Sequence, residues 1–186
     1  ERIRDGRSFT TRQVVAYQAG GAILNLIASF QVDEAGEDHQ TVAPPPGVPG
    51  PEELESVTTD LFFEHRIARW DRHPSPEAAT WMKVTADLGD DPVLHACALA
   101  YLSDEHPLGV AVAPHSLGDR WEELMAASLD HAVWYHRPTR ADEWLLFVLA
   151  GHGVAGGRGL ARAEVYDLAG RHVASVAQEG LVRARR

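Results

Sequence analysis

The sequence predicts an α+β protein in which an antiparallel sheet wraps round one central helix. Three observations carry that expectation: residues 90–104 hold a helix signal, most of the chain beyond residue 104 alternates like β-strand, and the segments before residue 90 pair as hairpins.

In the helix, Asp90 or Asp91 can accept from the free N–H groups of a first turn that opens at Pro92, whose fixed φ suits that place. Leu94, Cys97, Ala98, Tyr101 and Leu102 have the spacing of one apolar face. Val93, Ala96, Leu99 and Ala100 fill most of the rest, so the helix is expected to be surrounded. Asp104 falls at its C-terminal end, where the dipole and apolar neighbours both disfavour a negative charge. A carboxylate there needs hydrogen-bonding partners or a chemical role.

Ahead of the helix, residues 8–16 and 22–31 form a hairpin turning at 18–21. Its second arm is apolar on both faces, so something should cover it. Residues 33–40 are acidic and polar, and 43–51 are proline-rich, the composition of a connector running extended over a surface. Residues 61–70 and 80–86 read as strands either side of a turn at 71–76. After the helix come strands at about 123–135 and 143–149, then a hairpin of 159–166 and 172–181. The two hairpins resemble each other: each opens on a Gly-Arg pair, Gly6-Arg7 and Gly157-Arg158, and each turns at Ala-Gly. The match predicts an internal repeat, with 1–36 the terminal hairpin of a first copy, 37–56 a linker and 57–186 a complete second copy.

Composition narrows the function. Lys+Arg 17 against Asp+Glu 27 gives a net charge of -10, which opposes binding to nucleic acid or an anionic membrane surface. The one cysteine, Cys97, excludes an intrachain disulfide and fits a reducing compartment, so a cytoplasmic protein is expected, with no membrane insertion. The N-terminus has neither a signal-peptide core nor a starting Met, as in a piece of a longer chain. His131 and His136 lie five apart on one strand and His95 is elements away, so a metal site is not expected, and the histidines read as surface or core-satisfied groups. Residues 151–159 are glycine-rich and lead into no helix, a flexible connection rather than a phosphate loop. Trp134, Tyr135 and Trp144 could line an apolar tunnel or fill a core.

Three stretches resemble the acyl-CoA thioesterase II family of double hotdog proteins. They are Arg4-Asp5-Gly6-Arg7-Ser8-Phe9 running to Ala28-Ser29-Phe30-Gln31; Ser128-Leu129-Asp130-His131 through Pro138 with Asp142-Glu143-Trp144; and Gly156-Gly157-Arg158-Gly159-Leu160 with Gln178-Glu179-Gly180. The resemblance implies hydrolysis of a fatty acyl-CoA thioester to fatty acid and CoA, with no cofactor. It also implies a catalytic trio that falls on Asp104, Ser128 and Gln178, with serine in place of the family's commoner threonine. Chemically, Asp104 would polarise a water as general base, Ser128 and Gln178 would hold that water, and backbone N–H groups near a helix start would face the oxyanion. Desolvation at the helix end would raise the Asp104 pKa. With the first copy incomplete, homo-oligomerisation is expected to cover the exposed arm. Two alternatives stand beside this reading. One is a non-catalytic or truncated acyl-CoA-binding module. The other is a hotdog enoyl-CoA hydratase, suggested by His106 two residues after Asp104.

Overall fold

The structure is a computed structural model and describes residues 1–57, 61–72, 77–116 and 118–185. The chain divides into two compact units, Glu1–His39 and Gln40–Arg186. Among the described residues, no helix is long and apolar enough to cross a membrane.

The smaller unit is an antiparallel meander of β1 (Arg2–Asp5), β2 (Phe9–Gln18) and β3 (Gly21–Gln31). Its apolar residues alternate to both faces, and no residue of the unit is buried: Ile23 is 58% exposed and Ile27 67%. Nothing within the unit supplies the cover that β3 calls for.

The larger unit holds β4 (Phe63–Asp71), β5 (Glu77–Val84), α1 (Pro92–Leu102), α2 (Pro107–Val112), β6 (Leu124–Tyr135), β7 (Leu145–Ala155), β8 (Arg158–Tyr166) and β9 (His172–Ala184). Its six strands form one antiparallel sheet in the order β4-β5-β7-β8-β9-β6. Of the turn expected at 71–76, residues 73–76 lie outside the described residues. Period-two alternation divides the sheet into two layers. On β7, Leu145, Phe147 and Leu149 join Met82, Leu99 and Val165 in the main core, while Leu146 joins Ala79, Trp81, Trp144 and Tyr166 on the opposite face. Trp144 is therefore core of that outer layer. Residues 40–57 lie over the same layer: Val42, Val48 and Leu54 pack on it, Trp81 Nε1 donates to Pro49 O at 2.9 Å, and Gln40 bonds Gly170 O and His172 N.

Helix α1 forms as its signals require, with the Asp91 carboxylate accepting from Val93 N at 2.9 Å and Pro92 in the first turn. It is not surrounded, however. His95, Leu99 and Leu102 are buried, a stripe at i, i+4, i+7 against the sheet, whereas Val93 is 65% exposed and Cys97 is also exposed. A helix lying on one sheet face buries one stripe, whatever the composition of its other side. His95 is the core-satisfied histidine of the set: Nε2 bonds Gly89 O at 2.9 Å and Nδ1 accepts from Ala141 N at 3.1 Å.

Two features depart from the sequence expectation. Helix α2, six residues opening on Pro107, falls where no helix was expected, because Val110-Ala111-Val112 carries no helical period and Gly109 weakens a helix. Those three residues are buried, and α2 packs on β7, β8 and β9. Residues 151–159 are not a loose connection: β7 continues to Ala155 past a bulge at Gly151/Gly153, and a two-residue turn at Gly156-Gly157 (φ 58 and 75) leads into β8. Two central residues with positive φ make the tight hairpin that matches strand twist.

Candidate active site

Asp104, Ser128 and Gln178 come together at the end of α1. Asp104 sits just past the helix's last turn, Ser128 lies on the sheet-edge strand β6, and Gln178 lies on the neighbouring strand β9. Ser128 Oγ donates to Asp104 Oδ1 at 3.1 Å, Gln178 Nε2 donates to the same oxygen, and Gln178 Nε2 reaches Ser128 Oγ at 2.9 Å. Gln178 is 1% exposed and Asp104's side chain 54%. The amide is assigned with nitrogen toward the carboxylate because its carbonyl would repel Asp104 there. Its Oε1 is buried without a hydrogen-bond partner among the described residues.

A fourth side chain joins them. His131 Nδ1 stands 3.6 Å from Asp104 Oδ1, and His131 Nε2 is 3.0 Å from Ser103 Oγ, which itself donates to Ala100 O at 2.8 Å. Ser128 and His131 are three apart, which in a regular strand sends them to opposite faces. The β6–β9 register breaks between Ser128 and Asp130: Ser128 pairs with Gly180, Asp130 with Glu179, His131 with Gln178. Leu129 is the extra residue, and the bulge turns both side chains to one carboxylate. His131 was therefore invisible to a parity argument, and its reading as a surface or core-satisfied group is corrected. The remaining signal was the bare Ser-Leu-Asp-His run, whose spacing says nothing until the bulge is known.

The electrostatics also differ from expectation. The Asp104 carboxyl is held below the usual carboxylate range, not raised. Hydrogen bonding from His131 is the largest cause; desolvation pushes the other way, and Gln178 and Ser128 add to the lowering. Burial at the helix end brings donors to the carboxylate, and their hydrogen bonds outweigh the desolvation.

Beside Asp104 and Ser128 opens a cleft of about 350 Å³, lined also by His106, Leu108, Gly109 and Trp121. His106 is not a partner of Asp104. Its Nε2 meets His65 Nε2 at 3.0 Å, and Trp70 lies edge-on to its ring. Burial holds both imidazoles neutral, lowering His65 to about 4 and His106 to about 3, the latter also through the nearby His65. One ring must donate and the other accept. Trp134 and Tyr135 lie on the exposed part of β6, with Tyr135 Oη donating to Ala96 O at 2.9 Å.

Comparison with known proteins identifies the family. The family model described as the acyl-CoA thioesterase C-terminal domain matches residues 34–182. Acyl-CoA thioesterase 2 of Haemophilus influenzae is 32% identical over 98% of this chain and 72% of its own. The crystal structure of an acyl-CoA thioesterase II, TesB2, from Mycobacterium marinum is 42% identical with a TM-score of 0.87, over 100% of this chain and 72% of that one. A hot dog fold protein from Alicyclobacillus acidocaldarius, 18% identical over 99% of this chain and 71% of its own, superposes with a TM-score of 0.75 and fixes the fold class as hotdog. The chain belongs to the acyl-CoA thioesterase family and carries that family's C-terminal domain.

Proposed function

We propose that this chain hydrolyses fatty acyl-CoA thioesters to fatty acid and CoA through a water held on Asp104, Ser128 and Gln178. The observation that carries the proposal is the convergence of Ser128 Oγ and Gln178 Nε2 on Asp104 Oδ1 at the wall of an open cleft, in a chain of this family. All these contacts fall on Oδ1, so among the described residues Oδ2 is the oxygen left to take a water proton. The water oxygen forms the new bond to the thioester carbon as Asp104 takes that proton. The C–S bond then breaks with its electron pair leaving on sulfur, which is protonated to the CoA thiol, and the acid product loses its proton to solvent. The step needs no covalent acyl-enzyme.

Two further proposals concern the partners: acyl-CoA as substrate, supported by the family, and a homo-oligomer as the working form, supported by the exposed apolar residues of β2 and β3. Release of free CoA thiol from short to long acyl-CoAs tests the activity. Turnover is expected from the chain, with Asp104→Ala lowering it about 10²–10⁴-fold. Ser128→Thr, which keeps the hydroxyl, should retain most of the rate that Ser128→Ala loses. Ligand-dependent melting with no turnover would select a binding module instead. Hydration of crotonyl-CoA without thiol release would select the hydratase.

A further inference from the structure

Hydrogen bonding from His131 is the largest cause of the lowered Asp104, so that shift belongs to the ring with a hydrogen on Nδ1 and raises the question of where the neutral ring carries its hydrogen. The hydrogen bonds around His131 resolve it. The single proton of the Ser103 hydroxyl goes to Ala100 O, 2.8 Å away, so toward His131 Ser103 can only accept. Nε2 of His131, 3.0 Å from that oxygen, must therefore carry its hydrogen. A neutral His131 has one N–H, so Nδ1 is then a bare lone pair facing the Asp104 carboxylate at 3.6 Å. Two acceptors face each other, and one added proton converts their repulsion into an ion pair. Ser103 is 2% exposed and Asp104 belongs to the reacting trio, so this tautomer lock is built into the site.

We infer that Asp104 and His131 act as one base, with His131 a positioning residue that works through Asp104 and whose Nδ1 is the final seat of the proton taken from water. The inference rests on the hydrolytic reading above. Water gives its proton to Asp104. The carboxyl then turns about its broad, two-fold χ2, exchanging its oxygens, and hands the proton to Nδ1. The result is carboxylate beside imidazolium. When the C–S bond breaks, the sulfur recovers the proton by the same route. In the form competent to attack, His131 is neutral and Asp104 ionised; below the titration of the pair the proton is already in place and the base is spent. From α1 the ring meets Ser103 and Asp104, and across the sheet its register partner on β9 is the uncharged Gln178. Asp104 is the charged group in contact with it among the described residues.

Two measurements test this. The first is the pH profile of kcat/KM. The acid limb should move to lower pH in His131→Gln than in the native chain, with kcat/KM at neutral pH lower by about 10²-fold. Ser103→Ala leaves the imidazole in place but frees Nε2. It should let the proton settle on Nδ1, move the limb the same way, and keep the native melting temperature to within a few degrees. A limb that stays put in both variants while the rate falls would overturn the inference and leave His131 a structural support. The second is a nitrogen-15 NMR titration of the His131 ring, which needs no turnover. The neutral ring should carry hydrogen on Nε2 and take up its second proton at Nδ1; a neutral ring protonated at Nδ1 overturns the inference. If no acyl-CoA is cleaved, the proposed function fails, and the NMR result still decides the proton seat.

Discussion

The two neutral imidazoles His65 and His106 show what burial does to a single titratable group and how it can be measured. Both are free to protonate near 6.5 when unfolded, but in the fold only at about 4 and about 3. Between those values the unfolded chain binds more protons, so folding stability is full above pH 6.5 and falls as pH drops toward 4. Each unit of separation contributes about 1.4 kcal/mol per group before coupling between the pair is allowed for. Denaturant titrations from pH 7 to 4 should show this fall. A His65→Gln, His106→Gln chain, whose amides can bond each other but cannot titrate, should show a much shallower one; an unchanged slope would place the acid sensitivity elsewhere. At this scale the sequence was unevenly legible. Asp104, Ser128 and Gln178 stand in segments whose family likeness names them, and the structure gathers them on one oxygen. His131 was hidden by one extra residue, since a bulge inverts the parity from which facing is inferred. The direction of the Asp104 shift was equally hidden, because it depends on donors from two strands, β6 and β9, far from Asp104 in sequence.

At the scale of elements, the strands were readable where one face is buried, because alternation then records the core. Leu145 to Leu149 sends alternate side chains into two different layers. Helix α1 was readable from its cap and length, but its burial was not: an apolar far side looks the same in sequence whether or not anything covers it. Helix α2 is too short to show a period, and what fixes it is a contact made across the sheet. Gly180, the register partner of Ser128, lies under Leu108 of α2, and a Cβ at 180 would stand 2.5 Å from Leu108 Cδ1 and 2.9 Å from its Cγ. Gly180→Ala is therefore expected to cost about 1–3 kcal/mol by overpacking and to shift α2 against the cleft that Leu108 helps to line. Adding Leu108→Ala should return much of the stability lost at 180, a coupling that a double-mutant cycle on thermal or denaturant unfolding would reveal. Additive losses would mean that α2 does not depend on this contact.

At the scale of the whole molecule, the two units differ in what holds them. Gln40–Arg186 has a core on each face of its sheet, one under α1 and one under residues 40–57. Glu1–His39 has three strands, apolar residues on both faces and no buried residue, an arrangement whose backbone pairing is weakly supported without a covered face. Apolar surface in water is unfavourable by about 25 cal/mol for each Å² that could be covered, so this sheet has a driving force toward any matching apolar surface, another copy of itself included. We expect the chain to self-associate, with sedimentation coefficients rising between sub-micromolar and tens of micromolar protein. Ile23 and Ile27 are among the most exposed apolar residues of β3, so Ile23→Lys with Ile27→Lys should hold the protein monomeric over that range. All five tryptophans, Trp70, Trp81, Trp121, Trp134 and Trp144, belong to the larger unit, so their fluorescence melt reports that unit alone. That melt should change little in the double variant at low concentration, which separates loss of association from loss of fold. A native chain that sediments as a monomer throughout and binds no hydrophobic dye would mean that the apolar faces of β2 and β3 are satisfied within one chain, and the expectation of a homo-oligomer would fall with it.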